Sequence, residues 1–494
     1  MLPSLKKLTL AVLVLSSPAA AQELQFVLPG DFSSDHFGYS VAGAGDVNAD
    51  GYPDVVVGGY RGFNFMGRVK VFSGIDGTLL HHVIGNPGDY IGFQVDGAGD
   101  VNMDGFDDFI QGSLNGSVSV YSGVDASVLF SFPTGGGNAA GYGDVDSDGH
   151  ADFLVGNMIH SGSDGSVLKT FVPGFRITLA GDVNGDGEID YITFNTGHVS
   201  SPVEVRSAAD NSLLYSIPAV VGYATGVGDV NADGRDDFVI ADREPLTITV
   251  YSGLDGSVLH RIPAPWTSLQ PGIPIVGGAG DSDGDGHDDF LIGGNSPRIV
   301  SGATGCTLAQ LSHPYWAGSV ASAGDIDGDG DPDVVIGYPG NSGPNSEGTA
   351  VLFSYDGVMG APYCVSTVNS TGGASKISAS GSTSVALDIL LLTASNVPAG
   401  QFGLFYYGPA QTQVAFGNGF RCVGGGATGV VRLPVIASST TRCLELELDI
   451  ANQPPGSGSI TAGSTWNFQA WFRDAAAGGA AFDLSDGLQV VFTP

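Results

Sequence analysis

Seven short stretches of the chain place side-chain oxygens at the same offsets around a glycine, in the order Asp-x-Asp/Asn-x-Asp-Gly-x-x-Asp. Position one is Asp46, Asp100, Asp144, Asp182, Asp229, Asp281 and Asp325. Position three is Asn48, Asn102, Asp146, Asn184, Asn231, Asp283 and Asp327. Position five is Asp50, Asp104, Asp148, Asp186, Asp233, Asp285 and Asp329, and position nine is Asp54, Asp108, Asp152, Asp190, Asp237, Asp289 and Asp333. A hard cation that takes six to eight oxygens from short side chains is the chemistry this donor set suits, which points to Ca²⁺, up to seven ions in all. Mg²⁺ keeps several of its waters and rarely uses a cage of protein groups alone.

Position six is glycine in every copy, where the chain must fold back sharply. Position seven varies freely, as Tyr52, Phe106, His150, Glu188, Arg235, His287 and Asp331, so its expected contribution is the backbone carbonyl. An EF-hand needs a glutamate at position twelve, but the chain has Val57, Gln111, Val155, Thr193, Ile240, Ile292 and Ile336 there. The apolar residues after position nine read as a buried strand, which puts each loop on a β-hairpin.

The elements that must position these loops follow from their spacing. In the first unit, strands are expected at Ser40 to Ala44, Val55 to Gly58, Arg68 to Phe72 and Thr78 to Ile84. The last two flank a turn, Ser73-Gly74-Ile75-Asp76-Gly77, that recurs as Ser122-Gly123-Val124-Asp125-Ala126 and Ser252-Gly253-Leu254-Asp255-Gly256. Four strands at a period of about 40–50 residues predict propeller blades, and seven units predict seven blades. The seventh lacks a fourth strand before Cys364, whereas Leu24 to Leu28 followed by Pro29-Gly30-Asp31 matches the fourth-strand pattern. That N-terminal segment is expected to complete the last blade and cover an open edge.

With these loops and the pair Phe37-Gly38, residues 24–361 resemble the FG-GAP repeat family, found in the propeller of integrin α-subunits and in many secreted bacterial proteins. Ile91-Gly92 approximates the same pair, repeats three to seven lose it, and repeat four (Tyr191-Ile192-Thr193-Phe194) departs most. The resemblance implies loops between the first two strands of each blade, on one face of the disc, each holding Ca²⁺.

Residues 1–21 read as a secretory signal: Lys6 and Lys7, the apolar run Leu8 to Leu15, then Ala19-Ala20-Ala21 as the cleavage site. No later segment is long and apolar enough to be a transmembrane helix, so a secreted or cell-surface location is expected. The formal net charge of −34 is largely a consequence of the loops, and it argues against nucleic acid as a partner. Four cysteines suit two disulfides in an exported chain, with three possible pairings. Cys422 and Cys443 flank the apolar stretch Val430 to Ile436, which favours pairing them and leaves Cys306 to join Cys364.

After Tyr363 the repeats stop. A Ser/Thr/Gly-rich stretch, Ser366 to Ser384, leads into residues whose alternation predicts a small β-sandwich over 364–494. Its strands are expected at Val385 to Leu392, Gly403 to Tyr407, Leu444 to Ile450, Trp466 to Phe472 and Leu488 to Phe492. Weak likeness to modules appended to exported bacterial repeat proteins gives it an expected role in surface attachment or sorting.

No catalytic signature emerges: there is no Gly-x-Ser-x-Gly elbow and no His-Glu-x-x-His pair. His150 and His287 are expected to face solvent from position seven, and His81-His82 to end a strand at the surface. Trp266, Trp316, Tyr315 and Tyr338 suit either sugar stacking or blade packing. The expected function is an exported binding module for a glycan or protein, with Ca²⁺ mainly structural. The alternatives are a Ca²⁺-dependent polysaccharide lyase or hydrolase acting at the propeller channel, and a spacer in a surface layer.

Overall fold

A computed structural model describes residues 23–494 except 32–33, 134–136, 175, 195–201, 219–221, 244–245, 265–274, 312–314, 341–346, 356, 358, 451 and 453–457. The expected signal segment and Trp266 lie outside the described residues. The chain is all-β: seven four-stranded antiparallel sheets form a seven-bladed propeller, followed by a sheet-rich C-terminal region.

Blade 1 shows how the sequence makes each unit. Its strands are Ser40–Gly45, Asp54–Gly59, Arg68–Phe72 and Leu79–Ile84, paired in chain order. The second and third strands are buried throughout, the third with Arg68 and Lys70 among its residues, while the outer strand is half exposed. The inner strands of neighbouring blades pack side by side at most seams of the ring, including the seam between blades 7 and 1. Between blades 3 and 4 the packing is aromatic, with Phe171 stacked on Tyr191 at 4.1 Å. Blade 4, the most divergent in sequence, has the same four strands as the rest.

In blade 7, the N-terminal strand Glu23–Pro29 pairs antiparallel with Thr349–Ser354 as the outermost strand. The chain then crosses to blade 1 through a buried ion network. Asp31 accepts from Arg68 at 2.7 Å and from Lys70 at 2.8 Å, and Asp35 lies 3.2 Å from Arg68. Both cations and Asp35 are almost fully buried, so removing Asp31 would leave the Lys70 ammonium buried without its carboxylate.

The C-terminal region packs a larger sheet against the three-stranded sheet Ile377–Ser380, Leu390–Ala394 and Leu444–Leu448. The larger sheet runs Ala361–Tyr363, Gly487–Val491, Thr465–Arg473, Phe402–Gly408 and Val431–Ala437. One apolar core, including Leu392, Phe405, Phe468 and Phe472, fills the space between them. Two expectations shift here. The strand expected from Val385 begins later, at Leu390, and the Ser/Thr-rich stretch itself contributes Ile377–Ser380.

The disulfides are Cys306–Cys443 and Cys364–Cys422, which corrects the expected pairing. Cys422 lies on the hairpin strand Gly419–Gly424, whereas Cys443 leads into Leu444–Leu448 of the three-stranded sheet. Residues that flank a strand in sequence are therefore carried to different sheets. Cys306, in the last turn of blade 6, lies 5.6 Å from Cys443 between Cα atoms and so joins the propeller to the C-terminal region. Thr307 N–H donates to Glu445 at 2.9 Å beside this bridge.

Candidate metal centres

Every acidic loop folds the same way because its carboxylates bond to its own backbone. At position one, one carboxylate oxygen accepts from the N–H of position five and the other from the glycine N–H at position six; in the first loop these are Asp50 at 3.0 Å and Gly51 at 2.8 Å from Asp46. All seven loops repeat that pair of bonds. Position five accepts in turn from the N–H of position seven, as Asp50 does from Tyr52 at 3.0 Å.

Position nine has a second task. Its carboxylate is fully buried in all seven loops. Asp54 accepts from Val47 N–H at 2.8 Å within the loop and from Gly74 N–H at 3.1 Å in the turn between the third and outer strands. Asp108, Asp152, Asp237, Asp289 and Asp333 bond the same two places in their own blades. In loop four Asp190 takes Asn184 N–H instead, together with Ala208 N–H. The recurring Ser-Gly turns seen in the sequence are therefore tied to the acidic loops.

Burial pushes these ninth-position carboxyls upward, against the lowering effect of their two backbone donors and with the help of neighbouring carboxylates. Asp108 and Asp190 rise to about 6, Asp54 and Asp237 to about 7, and Asp289 and Asp333 to about 8. In loop six Asp283 also rises to about 6 through burial and the charges of Asp285 and Asp281.

The donor set fits a divalent cation on two observations. In three loops, carboxylate oxygens lie within 4.8 Å of one another: Asp144, Asp146 and Asp152; Asp281, Asp283 and Asp285; Asp325, Asp327 and Asp333. Asp283 Oδ1, moreover, is buried without a hydrogen-bond partner. Such crowding of like charge costs stability unless a cation or protons relieve it.

Several working residues were not read from the sequence. The glycine just before position one (Gly45, Gly99, Gly143, Gly181, Gly228, Gly280, Gly324) has positive φ in every copy, and its recurrence was a visible signal. Position four is left-handed as well, even where it is Ala49, Met103, Ser147 or Ala232. Position eight links neighbouring loops: Asp107, Asp236 and Asp288 accept from the position-one N–H of the preceding loop (Asp46, Asp182 and Asp229) at 2.8, 2.6 and 2.8 Å. The expected solvent-facing histidines are corrected similarly. His150 Nδ1 lies 2.7 Å from Val101 O and His287 Nδ1 3.0 Å from Val230 O, so each turns back onto the preceding loop. His81 and His82 sit within the outer strand of blade 1 rather than at its end, and His81 reaches Gly123 O of blade 2.

Among the aromatic residues considered for stacking, Tyr338 is core and Trp316 packs on the core of blades 5 and 6, while Tyr315 is exposed. The face opposite the acidic loops holds a cavity of about 660 Å³ above blades 2 to 4. Phe93, Phe132 and Met158 line it with Asn138, Asn157 and Arg176. The Arg176 guanidinium sits 5.0 Å from the Phe93 ring centre and donates to Gln94 at 3.1 Å.

Comparison with known proteins agrees with this architecture. A family model described as FG-GAP repeat matches residues 37–72 and 317–353. Integrin alpha pat-2 of Caenorhabditis elegans is 34% identical over 122 residues, covering 22% of this chain and 9% of that protein. Human integrin alpha-6 is 32% identical over 88 residues, 17% of this chain and 8% of that protein. The chain thus spans about a tenth of the length of the curated relatives it matches. It carries FG-GAP repeats of the kind found in integrin α-subunits, arranged as a seven-bladed propeller. Among the described residues, no helix is long and apolar enough to cross a membrane.

Proposed function

We propose that this chain is an exported binding module in which the seven acidic loops hold Ca²⁺ as structural ions and the opposite face engages a protein or glycan. The observation that carries the reading is the separation of the two faces. Repeated, self-bonded acidic loops occupy one, and a cavity mixing aromatic, amide and guanidinium groups occupies the other. A few convergent polar groups in an apolar concavity are what recognition sites need. The likeness to integrin α-subunits supports a protein partner, and the amide-lined cavity supports a sugar equally well. In this reading the ligands are positions one, three, five and nine with the carbonyl of position seven, and bound Ca²⁺ supplies the positive charge the crowded carboxylates lack. The C-terminal region serves surface attachment.

The test is a protein and glycan array probed with wild-type protein and with Arg176→Ala. Binding that disappears with Arg176 supports the assignment, whereas binding indifferent to it moves the partner elsewhere.

One residue favours the enzymatic alternative. Asp96, on the inner strand Gln94–Gly99 of blade 2, is raised to about 7 by burial despite bonds from Gly141 and Gly97, and its charge acts on Tyr223 together with that of Arg176. A carboxyl near neutrality suits a general base. Cleavage of a polysaccharide panel by wild type and not by Asp96→Asn would establish it; intact polymers with wild type remove it.

A further inference from the structure

A second cleft, of about 710 Å³, lies between the outer strand of blade 5, Val258–Pro263, and the C-terminal loops that contain Asn396 and Thr440 to Arg442. It is separate from the cavity above blades 2 to 4. Two arginines from different parts of the chain, Arg261 and Arg442, line it and are exposed. Neither lies within ion-pair distance of a carboxylate among the described residues. In a chain with 51 acidic and 17 basic residues, two cations facing one cleft without an acid partner form a local reversal of charge. A guanidinium from each wall can give an anion charge-assisted hydrogen bonds.

The walls of this cleft are rigid. The Cys306–Cys443 bridge follows directly on Arg442, and the Thr307 to Glu445 bond lies just beyond it. Thr393 Oγ1 adds a bond to Thr307 O at 3.2 Å. Asn396 and Arg442 both have left-handed backbones, at φ 54° and 66°, and their segments are joined by Val397 N–H donating to Arg442 O at 2.9 Å. Non-glycine residues persist in that region only where surrounding structure holds them, and such positions gather at binding sites. The backbone that carries Arg442 is thereby fixed before a ligand arrives, which lowers the ordering cost of binding.

The remaining lining decides which anion fits. Thr304 and Thr440 bring hydroxyls, which can both donate and accept as sugar hydroxyls require, while Asn396 spends its amide on Ala374 O and Thr441 its hydroxyl on Ser439. A peptide adding as a strand to Val258–Pro263 is disfavoured, because Pro263 has no N–H to offer it. We infer that this inter-domain cleft binds an anionic oligosaccharide, its carboxylate or sulfate groups held by Arg261 and Arg442 and its hydroxyls by Thr304 and Thr440.

Titration calorimetry on the full chain in about 150 mM salt, where exposed charges are screened beyond roughly 8 Å, tests it with four probes. These are a galacturonate hexamer, a sulfated galactose hexamer, an uncharged galactose hexamer and hexaglutamate. At least one charged sugar binds, and which of the two does so identifies the anionic group; the uncharged sugar and the peptide bind at least tenfold more weakly. Arg261→Ala and Arg442→Asn, the latter chosen because asparagine tolerates the left-handed backbone, each weaken binding about tenfold or more. Arg473→Ala leaves it unchanged, and melting curves confirm that the variants fold. The inference is overturned if neither charged sugar binds, if hexaglutamate binds as well, or if the two cleft variants bind like wild type. Sugar binding lost in Arg176→Ala and kept in the cleft variants assigns the sugar to the upper cavity and overturns this site alone.

Discussion

The two faces of the propeller are built from the same blades but obey different rules. On the acidic face, each loop repeats one set of backbone bonds, and its ninth carboxylate is buried in all seven copies. On the opposite face, the connections differ in length and composition, and the cavity above blades 2 to 4 draws Phe93, Asn138, Asn157 and Arg176 from separate connections. Uniformity across seven sites is what a structural requirement leaves behind, since each blade must solve the same problem. Variation is what recognition needs, because one partner meets each connection only once. The acidic face should therefore answer to stability measurements and the opposite face to binding measurements.

Removing metal is the harshest way to break that division. If each loop holds Ca²⁺ at about tenfold excess over its Kd, it contributes about 1.4 kcal/mol, and seven contribute about 10. Chelation should lower the melting temperature by about 15 °C or more in a calorimetric scan. An unchanged melt would end the structural role of the ion.

A smaller but still large loss is expected from a single ninth position. Asp54→Ala leaves the buried N–H groups of Val47 and Gly74 without their acceptor, at about 1–3 kcal/mol each. Denaturant unfolding should register about 4 kcal/mol, while Met158→Ala, at an exposed position of the opposite face, costs less than about 1. Equal costs would erase the difference between the faces.

Proton linkage sharpens the comparison further. The ninth-position carboxyls lie above their ordinary value, so in metal-free protein their favourable contribution is present below about pH 4 and is lost as pH rises through 6 to 8. Metal-free protein, dialysed rather than chelated, should melt lower at pH 8.5 than at pH 4.5 if these groups dominate. The gain on adding Ca²⁺ should grow over the same interval, because cation and proton compete for the same oxygens. A Ca²⁺ gain that shrinks as pH rises would contradict the assignment.

The links between loops come next. Asp107→Ala removes the acceptor for Asp46 N–H and should cost about 1 kcal/mol, read as a small fall in melting temperature. The smallest stability effect belongs to Arg176→Ala, within about 0.5 kcal/mol, although this variant should lose the partner. A large destabilisation there would mean that the opposite face is scaffold as well.

Much of the propeller could be read from the chain because its signals are local and repeated. The acidic loop, its glycine and the apolar run that follows lie within about a dozen residues, so seven copies announced seven blades; Arg68 to Phe72 was located to the residue. Local signals also misled. Val385 looked like the start of a strand, yet the sheet begins at Leu390, since alternation marks an apolar segment and not where its partner strand ends. His150 and His287 looked exposed because nothing within their own loops shows that the previous loop supplies a carbonyl.

The all-β class, the count of blades and the acidic loops were legible in the chain alone, because a short motif encodes its own turn through bonds between near neighbours. Only the tertiary structure decided the pairing of Cys306 with Cys443, the chain of bonds from loop to loop, the Arg68–Lys70–Asp31 network and the cleft where Arg261 meets Arg442. Each joins residues far apart in the chain, and their separation in space depends on how whole sheets pack, a quantity no local spacing records.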